Sequence, residues 1–299
     1  MRYPMNINLE LYRIFYHVAQ TLSFSKAAQE LFLSQSAVSQ HISNLEKNLN
    51  IQLFYRSTKK VQLTNEGHLL LQHIQPALHS ILQGEKLLAE TSEMNRGRLH
   101  IAASDTICKH FLLQHLHDYH ENYPNIEIMI TNRTSIECVK LLKNNMVDLV
   151  FTNLPNEIID ANLHVDEILT FQDIVIAPQK YKKLHSLGIS YEELLDYPIL
   201  LLDRNSSTTH YLQQVFKEKK LELTPSIELG SIDLLVELTR IGLGITFIPD
   251  YVLPIEPKGY FKVALRTSLP KRKLGMVSQA KAPLSNSVKT FMNLVMTQS

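Results

Sequence analysis

Gln35, Ser36, Ser39, Gln40 and Ser43 are the residues whose types and spacing most plainly suit a chemistry, that of hydrogen bonding to nucleic-acid base edges. They alternate with Val38, Ile42, Leu45 and Leu49, which recur every three or four residues. On a helix the apolar four turn inward and the polar five outward, near the N-terminal half. A Gln amide can bond both groups on an adenine edge, and a Ser hydroxyl can reach a base or a phosphate. The N-terminal half of such a helix is the part that enters a major groove. Taken alone, the pattern also fits an ordinary solvated helix surface. Lys26, Arg56, Lys59 and Lys60 suit phosphates instead, contacts that add affinity with little sequence preference; a solvated charge run is the plainer alternative.

A second set of polar residues falls where short apolar runs give way to helical patterns: Ser104 and Thr106, Asn132 and Thr134, Thr152 and Asn153, and Ser206, Ser207 and Thr208. In open α/β sheets ligands lie beyond the carboxyl ends of strands, and helix N-termini offer N–H groups to anions. These residues therefore read either as effector-binding, for a small carboxylate or similar metabolite, or as ordinary helix caps. Thr246, beside the Gly242–Gly244 turn, joins the candidates. The same region shows no catalytic nucleophile, metal cluster or phosphate-cradling glycine loop, so neither a catalytic site nor a cofactor is expected. Of the 13 histidines, His117 and His120 have i, i+3 spacing but no third ligand nearby, and they read as surface residues. Cys108 and Cys138 are too few for a disulfide framework. They read as buried free thiols, and as a redox pair only if their helices adjoin.

The elements that must carry these groups follow from periodicity. Leu11, Ile14, Phe15, Val18 and Leu22 mark an amphipathic first helix. Ser25 is the expected cap of a short second helix holding Ala27, Ala28 and Leu31, and Ser34 of the third. Two short helices joined by a tight turn make a helix-turn-helix. From Ile51 to Thr64 the period changes to a two-stranded ribbon with a basic tip, a wing. Leu70, Ile74, Leu78, Ile81 and Leu88 then mark one long helix, too one-sided to lack a partner helix, in which Pro76 predicts a kink or local break. Glu93 to Arg98 is the linker candidate. Beyond it, strands at Leu99–Ala103, Ile126–Thr131, Val147–Thr152, Ile174–Ala177, Ile199–Leu202, Ile227–Leu229 and Ile245–Pro249 alternate with helices and predict parallel α/β sheets. Strands at Phe261–Leu265 and Leu274–Ser278 and a helix from about Ser285 complete the chain.

Composition agrees with a multidomain globular protein: 299 residues, 44% hydrophobic and 20% charged, suggest two or three domains. The net charge of +1 conceals an asymmetry. Residues 1–64 hold seven basic side chains against three acids, a net of +4, which leaves −3 for the rest. A basic small module on a slightly acidic large one is the profile of a DNA anchor joined to a sensing body. No signal-like segment opens the chain and no run approaches the roughly 18 apolar residues that span a bilayer, so no membrane association and a cytoplasmic location are expected.

The residues Ser23-Phe24-Ser25-Lys26-Ala27-Ala28, Leu31, Ser34-Gln35-Ser36-Ala37-Val38-Ser39, Ile42, Leu45-Glu46, Leu53-Phe54, Arg56, Leu63-Thr64 and Gly67 stand in one order and spacing that resembles the amino-terminal signature of LysR-type transcriptional regulators. The remaining two-thirds resembles that family's effector domain in length and strand-helix order. Gln40 stands where the family often has Arg, and Asn50 where it usually has Gly; Asn tolerates the left-handed conformation. The resemblance implies an α/β protein: a winged helix-turn-helix at 1–64, a dimerisation linker helix at 65–92, and two α/β subdomains at 98–299 resembling a periplasmic-binding-protein-like effector domain. Subdomain I is expected at about 98–165 with 266–299, and subdomain II at about 166–265. The implied function is sequence-specific regulation of transcription under a small-molecule effector. The implied partners are double-stranded promoter DNA, a second copy in a homodimer or homotetramer, and RNA polymerase. The alternatives are a solute-binding or enzymatic α/β domain carrying a helix-turn-helix interaction module, and a purely protein-binding adaptor.

Overall fold

A computed structural model describes all residues except 1–6, 57–59, 91–96, 186–187, 255–257 and 299, with the backbone alone at 56, 83, 86, 87, 89, 90 and 185. The chain divides into two compact units, Met1–Lys86 and Leu87–Ser299.

In the first unit, α1 (Leu9–Thr21) opens at Asn8, whose side chain accepts from the Glu10 amide at 2.9 Å. Its Leu11, Ile14, Phe15 and Val18 are buried. The cap of α2 (Phe24–Glu30) is Ser23, whose Oγ accepts from Lys26 N at 3.3 Å, rather than the expected Ser25. Ser23 holds the extended backbone that a cap requires, and Ser25 lies already inside the first turn. Ser34 does cap α3 (Gln35–Leu49), accepting from Ala37 N at 3.2 Å. Asn50 closes that helix in the left-handed conformation at φ 53°. Val38, Ile42 and Leu45 pack with the buried residues of α1 and with Ala27 and Ala28.

The wing is β1 (Phe54–Arg56) paired antiparallel with β2 (Val61–Leu63). Its inner residue Phe54 stacks on Phe15 and Phe24 with ring centroids 5.5 and 5.9 Å apart. Thr64 caps α4 (Asn65–Glu90) by accepting from Gly67 N at 2.9 Å. The local break expected at Pro76 does not occur: α4 is one helix across it. A proline there removes one intrahelical hydrogen bond, which the packed helix tolerates.

The second unit is built on strands β3 (Gly97–Ala103), β4 (Ile126–Asn132), β5 (Leu149–Leu154), β6 (Leu163–Pro178), β7 (Ile199–Leu202), β8 (Ile227–Leu229), β9 (Ile245–Pro249), β10 (Tyr260–Val263) and β11 (Lys271–Gln279). The helices are α5 (Asp105–Ile107), which passes through a π-turn at Cys108–Leu112 into α6 (Leu113–Asn122), α7 (Ser135–Lys143), α8 (Tyr191–Leu194), α9 (Ser207–Glu218), α10 (Ile232–Arg240) and α11 (Asn286–Gln298). β3 is parallel to β4 and β5, and β7 is parallel to β8 and β9.

The expectation of parallel sheets holds for these pairs and is corrected at β6 and β11. Both run antiparallel to their neighbours, β11 to β5 and β6, and β6 to β9 and β10. The sequence pattern captured only Ile174–Ala177 of β6. Its first ten residues mix His164, Asp166, Glu167 and Thr170 with apolar positions, so no continuous hydrophobic run marks them. β6 pairs with β11 through its first part and with β9 and β10 through its last, joining two half-sheets in one strand. Separate cores fill the halves, one around Leu99, Phe151, Tyr119 and Phe291, the other around Val175, Phe216 and Phe247.

Candidate nucleic-acid interface and ligand cavity

The inner face of α3 is fixed by burial of Val38, Ile42 and Leu45, which dictates what lies opposite. Gln35, Ser36, Gln40 and Ser43 are exposed there and Ser39 is half-buried. Gln35 is oriented from the neighbouring helix, its Oε1 accepting from Ser25 Oγ at 3.0 Å. That bond leaves its amide NH2 without a partner among the described residues. Ser36 Oγ lies 3.0 Å from Ser34 Oγ. No carboxylate occurs between residues 31 and 45. This face can therefore approach polyanion phosphates without repulsion of its own making, and its helix start adds a partial positive charge.

Lys26 is exposed on α2 and Lys60 is exposed just before β2. Lys59 lies outside the described residues, as does the side chain of Arg56. Glu46 holds the wing to α3, a role that its place in the sequence signature did not reveal. Its Oε1 accepts from the amides of Leu53 and Phe54 at 2.9 and 3.2 Å. Gly67 has a similar purpose, since a Cβ there would stand 2.2 Å from Leu53 O. Phe32 is a further feature missed in the sequence: 95% exposed and at φ 55°, it combines an unfavourable environment with an unfavourable backbone at the turn before α3.

In the second unit, a cavity of about 260 Å³ lies beyond the carboxyl ends of β3, β4, β5 and β7. It gathers eight of the ten candidate residues: Ser104, Thr106, Asn132, Thr134, Asn153, Ser206, Ser207 and Thr208. Two of these are also genuine caps. Thr134 forms a capping box with Glu137, and Ser206 Oγ accepts from Thr209 N at 3.0 Å. Ser207 and Thr208 are buried in the first turn of α9, where the helix start leaves their N–H groups without intrahelical acceptors. Asn153 is 5% exposed and its Oδ1 has no hydrogen-bond partner among the described residues.

The other two candidates stand away from the cavity for reasons of packing. Thr152 is fully buried, its Oγ1 accepting from Asn156 Nδ2 at 3.0 Å. Thr246 is fully buried in β9 and donates to Leu200 O at 2.8 Å. The charged residues of the lining are Asp105, Arg133, Glu137 and Asp203. All stand within three positions of a polar residue singled out from the sequence, so the signal was their adjacency to a strand end. A second cavity of about 500 Å³, bordered by Pro155, His210 and Tyr211, shares Ser207 with the first.

Between the half-sheets' helices and loops, Lys109 pairs with Asp233 at 2.8 Å, His110 Nε2 lies 3.5 Å from the same carboxylate, and His210 Nδ1 lies 3.4 Å from Glu157 Oε1. Deeper, Arg272 of β11 bonds Asp173 of β6 at 2.9 Å and Thr208 Oγ1 at 3.3 Å, between the rings of Phe171 and Tyr211. The cavity wall and the strand crossing thus share one buried polar contact.

His117 and His120 both lie on α6, and among the described residues no three His, Cys, Asp or Glu side chains form a metal-ligand group. Cys108 and Cys138 are free thiols. Cys108 Sγ is 3.9 Å from Ala103 O, and Cys138 Sγ is 3.4 Å from Arg133 O. Burial pushes Cys108 up to about 11 and Cys138 up to about 12, so both are neutral at pH 7.

Residues 9–68 match the family described as bacterial regulatory helix-turn-helix protein, lysR family, and residues 92–299 match the LysR substrate binding domain. The chain is 28% identical over 251 residues to the HTH-type transcriptional activator CmpR of Synechocystis sp., an alignment covering 84% of this chain and 82% of that protein. A full-length variant of OxyR from Pseudomonas aeruginosa has the same fold at a TM-score of 0.72 and 20% identity, covering 97% of this chain and 98% of that one. CbnR complexed with its target DNA is similar at a TM-score of 0.70 and 16% identity, with 98% and 100% covered. Among the described residues no helix is long and apolar enough to cross a membrane.

Proposed function

Since this chain belongs to the LysR family and is a DNA-binding transcriptional regulator of that type, not an enzyme, we propose that α3 reads its operator through Gln35, Ser36, Ser39 and Gln40. The observation that carries this reading is the outward face of α3, polar, free of carboxylates and held in place by Ser25. Lys26, Arg56, Lys59 and Lys60 hold the phosphates on either side. Gln suits adenine, which makes A·T-rich half-sites the expected targets.

The domain division proposed is 1–64 for DNA, 65–92 for dimerisation and 98–299 for the effector, with subdomain I at about 98–165 and 266–299 and subdomain II at about 166–265. Leu69, Ile81, Leu82 and Leu88 are exposed on α4 and offer apolar surface for a second copy to cover. A homodimer, or a homotetramer built from two, then sets two recognition helices on a two-fold promoter site. The neighbour CbnR is described in complex with target DNA, which supports the same use of this fold. The effector sits in the 260 Å³ cavity and acts by changing how the two halves of the sensing unit pack. RNA polymerase recruitment and a cytoplasmic location, where the chromosome is, complete the proposal.

A gel shift on DNA upstream of the protein's own gene tests the assignment. Gln35→Ala with Ser39→Ala is expected to weaken specific binding by about tenfold or more. Lys60→Ala is expected to weaken binding to all sequences alike and to lower the salt slope by about one. Specific binding that survives the double replacement overturns the base-reading assignment.

A further inference from the structure

The charges around the cavity narrow the effector further than its polar lining does. Asp105, Glu137 and Asp203 face one guanidinium, Arg133, whose Nη1 is turned to the Asn132 carbonyl at 2.7 Å. A formal charge of this sign repels a dianion. Yet the deep wall is an anion site in geometry: α7 and α9 both begin there, with buried Ser135, Ser207 and Thr208 in their first turns. Asn153, one of the residues that line the cavity, supplies an independent sign of an unmet donor, because its buried Oδ1 has no hydrogen-bond partner among the described residues. The volume, about 260 Å³, lies under the roughly 300–1,000 Å³ of drug-sized pockets. An occupant that meets all of this is small, has an anionic head for the start of α9, and has a cationic donor for Asn153 and the acids.

We propose that the cavity binds a zwitterion of the α-amino-acid class, with its carboxylate at the start of α9 and its ammonium balanced by Asp105 and Asp203 and bonded to Asn153. This rests on the cavity being the effector site. It replaces the plain carboxylate that the helix starts alone suggest, because the acids of the lining penalise a second negative charge and reward a positive one.

The test uses the full-length protein and reads thermal midpoint and calorimetric titration with the twenty common L-amino acids, each compared with succinate, L-lactate and ethanolamine at equal concentration. At least one amino acid is expected to raise the midpoint saturably, while the three comparison compounds leave it unchanged. Asp203→Asn is expected to weaken that binding about tenfold. Asn153→Leu, close in shape and able to fill the same space, is expected to abolish it. If succinate or lactate stabilises the protein as well as any amino acid and Asn153→Leu removes the effect, the zwitterion is wrong and the cavity reading stands. If an amino acid binds both variants as tightly as the parent, the ligand sits elsewhere and the cavity reading fails with it. No shift with any amino acid also overturns the zwitterion.

Discussion

The two units assemble their functional surfaces in opposite ways. In the first, every candidate contact lies between residues 26 and 60, on consecutive elements whose caps and turns are local. In the second, the cavity draws on strand ends and helix starts from residue 104 to residue 232, brought together because β6 runs through both half-sheets. The first surface is exposed and neutral to basic, suited to a large polyanion. The second is recessed and acidic, suited to a small charge-balanced molecule. A surface built from contiguous sequence is set by helix periodicity, whereas a recessed one depends on long-range packing and on what that packing buries.

Arg272→Met breaks the comparison most severely on the sensing side. It strands the Asp173 carboxylate, which burial already holds above its ordinary pKa against the pull of Arg272. Removing one partner of a buried pair costs about 3–5 kcal/mol, read as an early unfolding transition of the second unit in urea. The double variant Arg272→Met, Asp173→Asn is expected to recover most of that loss. An unchanged midpoint in the single variant would mean that the crossing strands do not depend on the pair.

Gly67→Ala is the corresponding blow to the first unit. Its Cβ would meet Leu53 O at 2.2 Å and Leu63 Cδ2 at 2.9 Å, while that same carbonyl accepts from Thr64 N at 3.0 Å. The wing must move or the helix start must open, at about 2–3 kcal/mol. DNA affinity is expected to fall, with amino-acid-type ligands of the second unit still bound. Loss of both together would show that the two units are not separable.

Phe32→Asn should act in the other direction. Asn adopts positive φ more readily and removes an exposed aromatic ring, so the first unit gains up to about 1 kcal/mol in thermal unfolding. A simultaneous loss of operator affinity would identify Phe32 as a DNA contact and explain why the strain is kept. The smallest effect belongs to the thiols. With Cys108 at about 11 and Cys138 at about 12, alkylation by iodoacetamide at pH 8 is expected to be far slower than for an exposed cysteine, and Cys108→Ser should leave DNA binding unaltered. Rapid labelling at pH 8 would reopen a redox role.

From sequence alone, periodicity determined the three helices of the first unit, the wing, the long helix and the nine strands beyond, β6 only in its last part. These are features in which each residue's neighbour along the chain decides its face. Tertiary structure decided what periodicity does not carry. Ser23 displaced Ser25 as a cap because only its backbone was extended, and α4 passed Pro76 unbroken. β6 began at Leu163 because its pairing with β11, not a hydrophobic run, makes it a strand. The cavity shows the same division. Its polar residues were legible as strand-end and helix-start positions. Which eight of ten converge, and that Asp105, Glu137 and Asp203 join them, depended on long-range packing around the strand β6 that both half-sheets share, because burial and charge balance are properties of neighbours in space.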